Sequence, residues 1–523
     1  MNAKLFEASL PQAAFSAKQV LENEEKVASS RNIDMYSLMN DAGLAVFEHI
    51  QKEYPRHKKL LVVCGKGNNG GDGYVVARLA LQANWQIKLI LTVDALTLKG
   101  DAKQAYEDLI ALESLHHNID IVNAGGEAAG EIDAFNPDII VDAIFGIGFK
   151  GDFPKKLYGL VLAINKHAAA TVSIDVPSGL CASTGMINPL AVKADTTVTF
   201  IAIKQGLLTG QAANYIGKLY FADLTLGDSF NQQVSSKVFI EGSQVLQHLP
   251  VRENASHKGH IGLLMAVGGN QGFAGAIRLS AEGALRCGAA LVSVCCHQKN
   301  IHLVADGRPE LMLAPCQAEL LSKTPAFEKA KVYVLGPGLG KDCWAESLFD
   351  LVIKQNKPCV IDADALQLLA TKKIPLSSTQ ARLWVCTPHP GEAAALLACS
   401  IAEVEQDRFS AVKKIANKFH CVCVLKGAGS LTSNGETVWI NDSGNSGMAS
   451  GGMGDVLSGV IGALLMQINT QKNIESLDLI NATRLGVYIH GKAADIIAQN
   501  HGKIGMLASD LLPILWQLVN HKN

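Results

Sequence analysis

Residues 445–459 read NSGMASGGMGDVLSG and run directly into the apolar stretch VLSGVIGALL. A glycine-rich turn that opens an apolar helix bares backbone N–H groups at the positive end of the helix dipole, which makes a seat for an anion, most naturally phosphate. One acid, Asp455, stands inside that seat, where it would repel a phosphate. Its expected task is therefore to take a proton from a hydroxyl that attacks the phosphorus. No Lys-Ser or Lys-Thr follows the glycines, so the pattern is not that of a P-loop. A tight turn whose acid only caps a helix would use the same residues.

Outward from this turn, strand-like apolar runs alternate with helical stretches. In the second half of the chain they are GLLMAVGG (262–269), ALVSVCC (290–296), KVYVLGPG (331–338), PCVIDADAL (358–366), RLWVCTPHPGE (382–392) and CVCVLKGAG (421–429). In the first half they are LLVVCG (60–65), WQIKLILTV (85–93), PDIIVDAIFG (137–146), ATVSIDVPSG (170–179) and DTTVTFIAI (195–203). Two helices are predicted ahead of them over residues 16–53, the first opened by Ser16 and Gln19 in a capping-box arrangement, the second with Met35, Leu38, Met39, Ala42 and Val46 at helical spacing. Continuous apolar strands with helices between them predict α/β architecture, a mostly parallel sheet covered on both faces. The pattern loosens after Asp223, which predicts domains at 1–225 and 246–523 joined by 226–245. In such sheets ligands gather beyond the carboxyl ends of the strands, where these runs end in Gly, Asp or His.

Composition favours small-molecule chemistry. The chain has 523 residues, 48% hydrophobic and 18% charged, enough for two or more cores. Forty-six basic and 48 acidic residues leave a net charge of −2 with no long basic run, so no nucleic-acid or anionic-membrane partner is expected. The start, MNAKLFEASLPQAAF, carries acids early and lacks the apolar core of a signal peptide, and no run of apolar residues is long enough to span a bilayer. A cytoplasmic protein with reduced, buried thiols is expected, since the 12 cysteines are scattered and form no CxxC pair. A zinc site from His420, Cys421 and Cys423 is the sharper alternative, although alternation along a strand already accounts for the cysteines.

The first half holds its own glycine loop, GKGNNGGDGYVVARLA, directly after a strand. Gly65, Gly67 and Gly70 satisfy the dinucleotide fingerprint, with Asp94 at the next strand end as a candidate ribose partner. Yet Asn68, Asn69 and Asp72 crowd the turn with oxygens, and an acid at the helix start opposes a pyrophosphate. A polar substrate beside a bound cation suits these residues better. Asn69, Asp142 and Ser178 would offer oxygen donors bearing one formal charge, which favours a monovalent ion. Asp175 ends a strand before a Pro-Ser-Gly turn, where it could act as acid or base; Asp142 and Asp175 could instead only cap turns.

Together, GNNGGDG, VDAIFGIG and IDVPSG resemble the NAD(P)HX epimerase domain, while GPGLG, DADAL, TPHPGE, LKGAGS and MASGGMGDVLSG resemble the ADP-dependent NAD(P)HX dehydratase domain. The motifs follow the family's order from residue 65 to 459, so nearly the whole chain is similar to the bifunctional nicotinamide-nucleotide hydrate repair enzymes. Ala449 and Met453 are small variations beside the motif residues. The resemblance implies a Rossmann-like doubly wound domain followed by a ribokinase-like α/β domain. It also implies epimerisation of R- and S-NAD(P)HX by the first and dehydration of the S form to NAD(P)H, AMP and phosphate by the second. Potassium is implied in the epimerase domain, Mg2+ in the dehydratase domain, ADP as phosphoryl donor, and a homo-oligomer as the assembled form. Carried over by position, the first site comprises Asn68, Asn69, Gly70, Gly71, Asp72, Gly146, Ile147, Gly148, Phe149, Lys150, Gly151, Asp152 and catalytic Asp175, with Asn69, Asp142 and Ser178 around potassium. In the second, Ala276, Gly338 and His389 take the hydrate, Lys426, Gly427, Ala428, Gly429, Ser430 and Gly454 take the nucleotide, and Asp455 contacts substrate as the base. A kinase that keeps its phosphorylated product and a non-catalytic dinucleotide sensor are the two rival readings.

Overall fold

The computed structural model describes residues 12–113, 118–124, 128–149, 151–187, 189–372, 382–471 and 475–520. The chain divides into two compact units, Met1–Val238 and Phe239–Asn523, and the stretch read as a connection carries the helix Gly227–Gln233 and the strand Val238–Glu241.

In the first unit the strands are β1 (Lys59–Cys64), β2 (Gln86–Leu91), β3 (Ile119–Asn123), β4 (Ile139–Ala143), β5 (Ala170–Ile174), β6 (Thr196–Phe200) and β7 (Lys218–Ala222), standing in the order β3-β2-β1-β4-β5-β6-β7. Every pairing is parallel. Alternation along β1 shows why its residues are apolar without interruption. Leu60, Val62 and Cys64 join one core with Val46, Tyr74 and Ala77 from the helices, while Leu61 and Val63 join another with Phe153, Leu160 and Val161. A strand covered on both faces needs apolar side chains at every position. Ser16 caps the helix Ala17–Ser30 through the reciprocal bonds with Gln19, and Leu38, Met39, Ala42 and Val46 are the buried stripe of Met35–Glu53.

The second unit contains β8 (Val238–Glu241), β9 (Leu263–Val267), β10 (Leu291–Cys295), β11 (Leu311–Leu313), β12 (Ala330–Leu335), β13 (Cys359–Ile361), β14 (Trp384–Cys386), β15 (Val422–Leu425), β16 (Leu431–Ser433) and β17 (Val438–Asn441). Their order is β8-β17-β16-β15-β14-β13-β12-β9-β10-β11. Pairing is parallel from β11 to β15 and antiparallel through β15, β16 and β17. One core gathers Leu264, Ala266, Val332, Val334 and Val360 against the helices Ala274–Arg286, Met453–Gln471 and Ser476–His501. This is a ribokinase-like α/β unit, and the first is a Rossmann-like doubly wound one. Among the described residues no helix is long and apolar enough to cross a membrane.

Strand order places the sites. In the first sheet successive strands run outward from β1 to β3 and then restart at β4 on the other side; in the second the restart is between β9 and β12. Loops leaving such neighbours diverge and open a crevice at the carboxyl ends. Both crevices are floored by glycines that no other residue could replace without displacing backbone. A Cβ on Gly65 would strike the Ile144 carbonyl, one on Gly268 the Pro337 carbonyl, and one on Gly336 the Asp362 carbonyl.

Candidate functional sites

At the first crevice the loop after β1 turns into the helix Asn68–Gln82, and a cleft of about 590 Å3 lies over it. Asn68, Asn69, Asp72, Gly146, Ile147, Gly148, Phe149 and Asp175 line the cleft, as do Glu24, Lys66 and Lys204. Gly70 and Gly71 are closely packed: a Cβ on the first would strike the Gly65 carbonyl and one on the second the Met39 thioether. Phe149 stacks on Phe145 with ring centroids 4.5 Å apart, which fixes the 146–149 turn as a wall. Gly151 and Asp152 are exposed and do not line the cleft, and Lys150 lies outside the described residues.

Asp142 is fully buried at the end of β4. Its Oδ2 accepts from the Ser173 hydroxyl at 2.9 Å and the Ser178 amide at 2.8 Å, and its Oδ1 accepts from the Ser178 hydroxyl and from Ile144 N at 3.3 Å. Burial raises its carboxyl above the ordinary range, opposed by these donors. The Ser178 oxygen also accepts from Phe145 N at 2.9 Å and lies 3.3 Å from the Phe145 carbonyl. Asn69 packs its side-chain amide against Gly146, and its buried Nδ2 has no partner among the described residues. One carboxylate among the neutral oxygens of Ser178 and the Asn69 side chain is a donor set that fits a weakly charged cation such as potassium.

Asp175 sits just past β5 with φ +62°, a left-handed conformation that costs a residue with a Cβ on the order of 1 kcal/mol. Its Oδ1 accepts from Thr199 Oγ1 at 3.0 Å, from Phe200 N at 3.4 Å and from the buried ammonium of Lys204. Asp72 faces this pair across the cleft. Burial first, then the charges of Asp175 and Glu24, hold its carboxyl well above the usual range. Lys204 and Glu24 were not anticipated from sequence: neither belongs to a glycine motif, although a lysine directly after the apolar run 195–203 is a strand-end signal of the same kind as Asp175.

The second crevice brings together most of the residues expected there. Ala276 lies on the first turn of Ala274–Arg286, and a Cβ on Gly338, where φ is +58°, would meet that of Ala276 at 3.2 Å. Lys426 directly follows β15 and donates to Asp362 at 2.9 Å, with Glu392 at 3.8 Å. A Cβ on Gly454 would stand 3.1 Å from the Lys426 ammonium, so glycine there keeps the lysine next to the helix start. Arg408, fully buried, donates to the Lys426 carbonyl at 3.0 Å and braces the loop from below. Ser430 closes that loop by donating to the Gly427 carbonyl at 3.0 Å.

His389 caps Pro390–Leu397: its Nδ1 accepts from the amides of Gly391 at 3.0 Å and Glu392 at 3.4 Å, while Glu392 accepts from the His389 amide at 2.8 Å. With Nδ1 accepting, the ring proton sits on Nε2, 3.3 Å from Glu392 Oε1. Burial and then Lys426 lower the His389 pKa, so the ring stays neutral. Burial lifts Glu392 to about 7 against the pull of Lys426.

Asp455 occupies the first turn of Met453–Gln471. Burial and then the charge of Asp362 lift its carboxyl to about 7, with Lys426 opposing. Burial alone would lower the Lys426 pKa, yet Asp362 and Glu392 hold it raised. Asp362 and Glu392 lie inside the quoted DADAL and TPHPGE motifs without having been assigned a task there. No cluster of three or more His, Cys, Asp or Glu suited to a metal ion occurs among the described residues, including His420, Cys421 and Cys423. Carboxylates beside Lys426 nonetheless suit Mg2+, which binds through phosphate and water with only one or two protein carboxylates.

Two family models match the chain: one described as NAD(P)H-hydrate dehydratase over residues 264–517, and one described as the YjeF-related protein N-terminus over residues 35–206. The bifunctional NAD(P)H-hydrate repair enzyme of Escherichia coli is 41% identical over 98% of this chain and 95% of its own length. That of Coxiella burnetii is 41% identical over 95% and 97%. The solved ADP/ATP-dependent NAD(P)H-hydrate dehydratase of Bacillus subtilis, crystallised with ATP and Mg2+, is 28% identical with a TM-score of 0.47, covering 52% of this chain and 94% of that one. With both halves matched and relatives aligned along almost the full length, the chain belongs to the family of bifunctional NAD(P)H-hydrate repair enzymes.

Proposed function

We propose that the first unit interconverts the R and S hydrates of NADH and NADPH and that the second restores the S hydrate to NAD(P)H with ADP. The observation that carries this reading is the pairing of a substrate-sized cleft holding Asp72 and Asp175 with a separate anion seat holding Asp455 and Lys426.

The R and S hydrates differ at one ring carbon that bears both a hydroxyl and the ring nitrogen. Inversion requires a bond to that carbon to break and re-form on the other face. Asp175 takes the hydroxyl proton, the carbon–oxygen double bond forms, and the carbon–nitrogen electron pair moves to the ring nitrogen, which takes a proton from Asp72. Reclosure on the opposite face returns both protons. The raised carboxyl of Asp72 supports its role as the neutral acid of the pair. Asn69, Asp142 and Ser178 would hold potassium, which would supply a fixed positive charge beside the substrate.

In the second unit Asp455 takes the hydroxyl proton of the S hydrate, the oxygen attacks the terminal phosphorus of ADP, and AMP departs. The new phosphate ester is a good leaving group: the ring nitrogen expels phosphate, and loss of a proton from the neighbouring carbon restores the double bond. Lys426 and the 427–430 and 454 backbone face the phosphates, and Mg2+ would neutralise their charge. ADP is taken as the donor, ATP serving the same chemistry. A kinase would stop at the ester and a sensor would stop at binding. Product analysis with the hydrate mixture and ADP separates these outcomes: full return of reduced-nicotinamide absorbance is expected, whereas a stable phosphorylated product, or binding alone, would refute the reading.

A further inference from the structure

We infer that Lys204 is a positioning residue for the epimerisation: its ammonium, fixed by three acceptors, clamps one carboxylate oxygen of Asp175 and leaves the other to work in the cleft. The inference rests on the reading of Asp175 as the proton acceptor. Lys204 Nζ donates to Asp175 Oδ1, to Thr199 Oγ1 at 3.1 Å and to the Phe200 carbonyl at 2.9 Å, which uses all three of its protons. The ammonium therefore has no proton left to give a substrate and acts through Asp175. Asp175 Oδ1 is in turn fully engaged, while no bond holds Oδ2 among the described residues. A carboxylate clamped at one oxygen presents the other in one direction.

The chain goes to some expense to make this contact. Asp175 and Ile201 both adopt φ +62°, so β5 and β6 each end in a left-handed reversal at a residue with a Cβ. Strain of this kind persists where the surrounding structure enforces it, and it clusters at working sites. Lys204 is 1% exposed, and a buried ion pair is weak as a source of stability, since an apolar pair of the same volume does as well or better. Stability alone thus gives no reason for a lysine here. Electrostatics does: Glu24 from Ala17–Ser30, Asp72 from Asn68–Gln82 and Asp175 all face this ammonium, with Lys66 as the other basic group lining the cleft. Of these three carboxylates, only Asp175 is bonded to it among the described residues.

The test uses the full chain carrying Lys204→Met and, separately, Thr199→Val, which removes the hydroxyl shared by both partners while keeping the side-chain shape. Interconversion of R and S hydrates is followed by chromatography across pH, with dehydration of the S hydrate by the same chain as an internal control. Lys204→Met should lower kcat for epimerisation by about 100-fold with KM changed less than about threefold. It should also move the ascending limb of the pH profile up by at least about one unit, because three carboxylates then share no buried cation. Thr199→Val should lower kcat in the same way by about tenfold. A Lys204→Met chain with the wild-type kcat and pH profile overturns the inference. So does a loss confined to KM. If Lys204→Met does not fold, an unchanged kcat and profile in Thr199→Val overturns it equally. A wild-type chain that dehydrates the S hydrate but never interconverts epimers refutes the parent reading instead.

Discussion

Asp455 provides the sharpest test of the dehydration chemistry, because its environment fixes both the size and the pH dependence of the effect. Its carboxyl stands at about 7 rather than 3.8, lifted by burial and by Asp362, Asp364 and Glu392 against the pull of Lys426. That difference corresponds to roughly 4 kcal/mol of added cost for ionising it, an energy that makes the carboxylate a correspondingly better proton acceptor. A group at about 7 is roughly one-tenth ionised at pH 6 and nine-tenths ionised at pH 8. Since only the ionised form can take the hydroxyl proton, kcat/KM for dehydration should rise about tenfold between those pH values and then level. Asp362→Asn should move that limb to lower pH, because it deletes the acid that most disfavours ionisation and frees Lys426 to act on Asp455. Asp455→Asn keeps the side-chain shape and should bind ADP with a Kd within a few-fold of wild type while losing about 10^2 to 10^4 in kcat. Return of reduced-nicotinamide absorbance from purified S hydrate gives the rates, and calorimetry gives the nucleotide affinity. Turnover by Asp455→Asn within tenfold of wild type, or a flat profile between pH 6 and 8, would refute the assignment of the base.

The division at Val238 and Phe239 predicts that residues 239–523 expressed alone dehydrate the S hydrate with ADP and leave the R hydrate untouched; consumption of R at the rate of the intact chain would end that division of labour. At the first site, Asp142→Ala should weaken the dependence of epimerisation on potassium and slow it by at least about tenfold, with S-hydrate dehydration unchanged. Replacing potassium by a large organic cation at equal ionic strength checks this, and an Asp142→Ala chain that still responds to potassium as the wild type does would exclude Asp142 from the ion's shell.

What the sequence made legible and what it did not divides along a physical line. Glycines announced the crevices because their reason for being glycine is local: Gly65, Gly268 and Gly336 sit where a neighbouring carbonyl would meet a Cβ. The central strands were equally plain, since two covered faces demand uninterrupted apolar residues. Edge strands such as Ile119–Asn123 and Leu311–Leu313 are short or half covered and leave no such run, and the interior strand Leu431–Ser433 is only three residues long. Charges that work in pairs are the harder case. Lys426 was anticipated and Asp362 was not, although each is at a strand end and the two bond at 2.9 Å, because that contact joins positions 64 residues apart. Lys204 and Asp175 are 29 residues apart and meet only after two backbone reversals at φ +62°. A left-handed Asp or Ile leaves no compositional trace, unlike a left-handed Gly. Sequence therefore points to the groups that face a ligand through backbone geometry, whereas the charges that aim and tune those groups emerge only once the sheet has set the strand ends side by side.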